Sequence, residues 1–130
     1  MNGFWIAAGI FITISGFIHM ILGDRWIFNQ LNQDNLETHY SGEITHVTMR
    51  WFWHVGSFMI FFNAVIVLLM GFSDTIVPSE NFVAWLIIVI YLGFIGTLLA
   101  VNIKKLGNLS QFPQAILFIV FIVLLFLGMN

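Results

Sequence analysis

The chain of 130 residues contains no cysteine. That excludes a disulfide framework, thiol redox chemistry and any metal or iron–sulfur site built on thiolates. Charge is almost as scarce, since four Lys and Arg and six Asp and Glu make up 8 % of the residues, for a net charge of −2. There is no basic patch or run of like charge with which to bind nucleic acid. Two further patterns are missing: tight metal-ligand spacing such as HExxH, and the period-2 alternation of transmembrane β-strands.

Apolar side chains are what the sequence has instead. They form 60 % of the residues, and the mean hydropathy is +0.99. A soluble domain of this size could not cover that much apolar surface. The sequence therefore predicts an integral membrane protein. Four runs, at residues 4–22, 51–72, 82–103 and 112–129, approach the roughly 20 residues that a helical crossing needs. Helices satisfy their own backbone in lipid. The expectation is an all-α, integral membrane four-helix bundle forming a single membrane domain over 1–130. No Lys or Arg precedes the first run, and Phe4 and Trp5 stand where the basic region of a signal peptide would lie. That run reads as a retained helix.

Arg25 and Arg50 flank the first connection, and Lys104 and Lys105 lie in the third. With four crossings these connections share one side, which the excess of basic residues marks as cytoplasmic, leaving both termini and the 73–81 connection on the non-cytoplasmic side. Trp5 and Trp85 then fall near the outer interface, and Trp26, Trp51 and Trp53 near the inner one, as aromatic belts would. The predicted location is a bacterial inner membrane, crossed several times.

The connection 24–49 is the substantial water-exposed segment, rich in Asn and Gln and carrying Asp24, Asp34, Glu37 and Glu43. It is long for a helix hairpin. Residues 43–49 are candidates to extend the second helix; if they do, His46, Arg50, His54 and Ser57 line one face at i, i+4, i+8 and i+11. On the first helix Gly9, Gly16 and Gly23 recur every seven residues and mark a thin face. Ser15 and His19 lie beside it. Consecutive helices run antiparallel, and His19 is about one turn before the end of its run while His54 is about one turn after the start of the next. The two imidazoles are expected at similar depth, close enough to meet.

Ionisable groups inside a membrane are costly and usually face a bundle interior or a cavity. One reading is a ligand site. Arg25 and Arg50 offer forked donors to phosphate or carboxylate, and the histidines can donate, accept or shuttle a proton. A phospholipid headgroup, a quinone or a lipid-like metabolite would reach this depth from the bilayer. The plainer reading is that His19 and His54 bond to Ser15, Ser57 or backbone, and that Arg50 snorkels to lipid phosphate. A metal would draw on His19, His46 and His54, with Glu43 as a further donor, against repulsion from Arg50. A b-type haem held by two histidines would need the first two helices splayed, since helices 8–10 Å apart leave little room for a macrocycle. Catalysis by His54 and Ser57 lacks a third, orienting group. Elsewhere, Asn63 is expected to bond to another helix, Pro113 to open the fourth, and Gln114 to stand at the level of the histidines.

The stretches GFIHMILGDR, RWFWHVGS and FPQAILF together resemble an uncharacterised family of small four-helix bacterial inner-membrane proteins. That family tends to show His and then Gly, an acidic residue and Arg at the first place, Arg with Trp-His and Ser at the second, and Pro-Gln at the third. Asp24 stands where glutamate is commoner, which keeps the charge. The resemblance implies that His19, Asp24, Arg25, Arg50, Trp53, His54, Ser57, Pro113 and Gln114 form one cytoplasmic-side cluster. It implies no reaction. The expected function is binding of a lipid-like, quinone-like or haem-type ligand at this polar pocket. The alternative is an accessory structural subunit of a larger membrane complex, for which the outward residues Ile116, Val120 and Val123 of the fourth helix would be covered by protein. A homo-oligomer is compatible with either.

Overall fold

The computed structural model describes residues 1–23, 25, 40–72, 79–101 and 113–129, with backbone alone at 40–46, 101 and 113. The elements are all helical: α1 (Gly3–Leu22), α2 (Tyr40–Phe72), α3 (Glu80–Val101) and α4 (Pro113–Gly128). Stretches in α1, α2 and α3, at Gly3–Leu22, Val47–Phe72 and Glu80–Ala100, are long and apolar enough to cross a membrane. At 16 residues α4 is shorter, rising about 24 Å against a hydrocarbon core of about 30 Å. It opens on Pro113, whose missing N–H costs nothing in a first turn.

The largest departure from expectation is at the start of α2. The helix begins at Tyr40 rather than 51, three residues before the candidate extension at 43–49, and runs for 33 residues, about 50 Å, so residues 40–49 of the 24–49 segment are helix. Adding turns to an existing helix costs far less than nucleating one, and no proline interrupts residues 40–49.

The residues divide into two compact units, Met1–Phe11 with Asn63–Asn130, and Ile12–Phe62. In the first, Asn2 is the N-cap of α1, its Oδ1 accepting from the N–H groups of Phe4 (3.1 Å) and Trp5 (3.2 Å). Its other groups reach the ends of two further helices. The Asn2 N–H donates to the carbonyl of Gly71 at 2.9 Å, and its Nδ2 to that of Gly128 at 2.6 Å. Trp5 is 3 % exposed, and its Nε1 donates to the carbonyl of Leu125 at 3.2 Å. This corrects its expected place in an outer aromatic belt. The last carbonyls of a helix have no intrahelical partner, and the indole is turned inward to satisfy one of them. Trp85 and Trp51 do lie on the surface.

Deeper in the same unit α3 packs on α4, and Tyr91 meets Phe94, Phe118 and Phe121 edge-on at centroid distances of 4.9–5.8 Å. Asn63, also buried, faces the Tyr91 hydroxyl, although the pair falls short of hydrogen-bond geometry.

In the second unit the thin face of α1 is in use. A Cβ at Gly16 would stand 3.0–3.2 Å from Ile60 and Phe61, and one at Gly23 would run into the indole of Trp53. Phe17 meets Phe61 edge-on at 4.9 Å. Together these contacts fix an antiparallel register in which Gly16 faces Ile60 and Gly23 faces Trp53.

Helix glycines therefore differ in kind. At Gly71 an added Cβ would come within 2.9 Å of the backbone N of Ile6, whereas at Gly96 it would meet nothing within 4 Å. Gly71→Ala is expected to destabilise the protein by about 1–3 kcal/mol, and Gly96→Ala to stabilise it by up to about 1 kcal/mol. Denaturant titration of the detergent-purified variants measures both.

Candidate functional site

The register set by Gly16 and Gly23 carries His19 to Ser57. The imidazole Nδ1 lies 3.1 Å from Ser57 Oγ. Its ring stacks on the indole of Trp53, with centroids 4.0 Å apart and planes 5° from parallel. Ser57 Oγ donates to the carbonyl of Trp53 at 3.1 Å, and Trp53 Nε1 donates to the carbonyl of His19 at 3.1 Å. Three residues thus form a closed ring of three bonds between two helices. The His19 carbonyl lies in the last turn of α1. Such rings gain strength because each bond polarises the next.

Ser57 Oγ and His19 Nδ1 share a bond whose donor depends on the imidazole tautomer. This is the geometry of the plainer expectation, in which His19 bonds to Ser57.

Of the residues that the sequence groups with His19, the structure brings Trp53 and Ser57 against its ring. On α2 the buried positions Ser57, Ile60, Ala64 and Val67 follow a spacing of three and four, and Trp53 continues that stripe. His54 is one residue on, rotated by about 100°, and is half-buried. The heptad of glycines on α1 is the signal behind this contact, since a residue as wide as Trp53 needs one as narrow as Gly23 opposite.

Arg25 and Arg50 are exposed. Arg50 is one turn before Trp53 on α2, in the same unit as His19. Gln114 is half-buried in the first turn of α4, in the other unit. Asp24 lies outside the described residues, as do the side chains of His46, Glu43 and Pro113. Among the described residues no three His, Cys, Asp or Glu side chains group closely enough to hold a metal ion. The close approach at Gly16 and Gly23 leaves no room for a haem between α1 and α2. Neither a protein-family model, nor a curated protein, nor a solved structure matches the chain.

Trp53→Phe keeps an aromatic ring against His19 but removes the donor to its carbonyl, a loss of about 1 kcal/mol. Ser57→Ala removes the partner of His19 Nδ1 and costs about 1–3 kcal/mol. Unfolding midpoints in detergent should fall in that order, wild type above Trp53→Phe above Ser57→Ala.

Proposed function

We propose that this chain is a four-helix bundle of the bacterial inner membrane that binds a lipid-like or quinone-like molecule where α1 and α2 meet, near the cytoplasmic interface. The observation that carries the reading is the bonded ring of His19, Ser57 and Trp53. It holds one imidazole in a defined orientation on a largely apolar helix, and His19 is half-buried. A side chain positioned in this way can read a ligand's polar head. Arg25, just past α1, and Arg50, on α2, would hold an anionic group. The membrane assignment rests on three apolar helices of spanning length, and the orientation on the four Lys and Arg of the first and third connections.

The resemblance to the small inner-membrane family agrees with this reading. Of its further member residues, His54 lies in the same unit as His19 and is proposed to border the same pocket.

A second reading, an accessory subunit of a larger membrane complex, draws on the outer face of α4. Ile116, Val120 and Val123 are 40–50 % exposed, on a helix shorter than a full crossing. Lipid covers such a face in a free-standing binder, and protein covers it in a subunit.

Native mass spectrometry of the protein, extracted gently from its own membrane, separates the two. A small molecule retained at fixed stoichiometry, and lost in Arg50→Ala and His54→Ala variants that still fold, supports the pocket. Unchanged retention in both variants overturns it, and extraction only with other polypeptides supports the subunit. Alkaline phosphatase fused after Asn130 is expected to be active and a fusion within the 102–112 connection inactive, because both termini are assigned to the outer side.

A further inference from the structure

Far from any helix end, two polar side chains face each other in an apolar interior. Asn63 on α2 and Tyr91 on α3 belong to the same compact unit. Asn63 stands nine residues from Phe72 and Tyr91 nine from Ala100, the nearer ends of their spanning stretches, roughly 14 Å along each helix. Bulk water does not reach that depth in a bilayer. Tyr91 is 0 % exposed and its hydroxyl has no hydrogen-bond partner, while Asn63 is 8 % exposed and faces that hydroxyl without closing a bond.

Packing holds the gap open. Phe94, Phe118 and Phe121 meet the Tyr91 ring edge-on at centroid distances of 4.9–5.8 Å, and a phenolic oxygen lies on the axis about which its ring turns, so rotation of the ring does not carry the hydroxyl to Asn63. A buried hydroxyl left unbonded costs more than an ordinary hydrogen bond returns. A small polar body between the two groups removes that cost. A cation suits them poorly, since they offer neutral oxygens and no carboxylate, and among the described residues no three His, Cys, Asp or Glu side chains group closely enough to hold a metal ion. An apolar molecule leaves both groups unbonded. Water both donates and accepts and needs two to four polar partners, and the Asn63 amide supplies an acceptor and a donor beside the Tyr91 hydroxyl. The surface that Asn63 retains is surface that a water-sized body can touch.

We propose that one water molecule is bound inside this unit, bridging the Asn63 amide and the Tyr91 hydroxyl and so joining α2 to α3 in the middle of their spanning stretches. The site is independent of the ligand pocket at His19. It gives the two helices a polar link that depends on register: a shift of either helix by one residue is a rotation of about 100°, which turns its polar group away from the water.

The chain holds two tyrosines, so Tyr40→Phe leaves Tyr91 as the single reporter. With ¹³Cζ-tyrosine in that background, in lipid bilayers, magnetisation transfer from water in solid-state NMR is expected to reach Tyr91 and to be lost in Asn63→Leu. Tyr91→Phe, which deletes the hydroxyl and keeps the ring, is expected to lower the folding equilibrium constant about fivefold in denaturant titration, the worth of one bond. In the Asn63→Leu background, where the bridge is already broken, the same substitution should cost little. Absence of transfer to Tyr91 overturns the proposal, even if the two groups prove coupled through a direct bond. Transfer that persists in Asn63→Leu overturns it too, as does a Tyr91→Phe variant as stable as its parent or more so, the behaviour of a hydroxyl buried dry.

Discussion

The last carbonyls of a helix need partners from outside it, and this chain has few polar side chains with which to supply them. How it spends them organises much of the structure. Asn2 takes the carbonyl of Gly128 with its side chain and that of Gly71 with its backbone N–H. Trp5 takes Leu125, and Trp53 takes His19. These acceptors fall in the last turns of α4, α2 and α1. Each cap comes from a different helix, so satisfying the backbone and fixing a helix neighbour are one event. Two of the donors are indoles, which bring a large apolar face and one N–H to the same place.

Close approach is what makes these bonds reachable. A donor on one helix meets a carbonyl on another only where the surfaces between them are thin. Gly71 against Ile6, Gly16 against Phe61 and Gly23 against Trp53 supply that thinness. Association of helices in lipid has little hydrophobic drive between them and depends on van der Waals fit and interhelical bonds. Glycines without a neighbour at their Cβ, such as Gly93 and Gly96, do not serve this purpose within the chain.

The same economy creates the candidate site. His19 is held by bonds that complete a helix end, and the holding consumes one ring nitrogen while leaving the other. The bond to Ser57 engages Nδ1 and fixes the orientation of the ring.

Much of the fold was legible in composition and run length, because burying backbone in lipid leaves few alternatives to helices of about 20 residues. The glycine heptad on α1 was legible too, as a thin face. Its partner was not. Apolar residues surround α2 so evenly that sequence alone gave no reason to turn Trp53 rather than His54 towards α1, and a difference of one residue is a rotation of about 100°. The inward turn of Trp5 was hidden for a related reason, since its acceptor lies 120 positions away in the chain. Sequence determined the element type, the number of apolar helices and the residues capable of chemistry, all of which follow from local composition. Tertiary structure decided the register of α1 on α2 and the ring of His19, Ser57 and Trp53, because those depend on which side chains are narrow enough to let two helices touch.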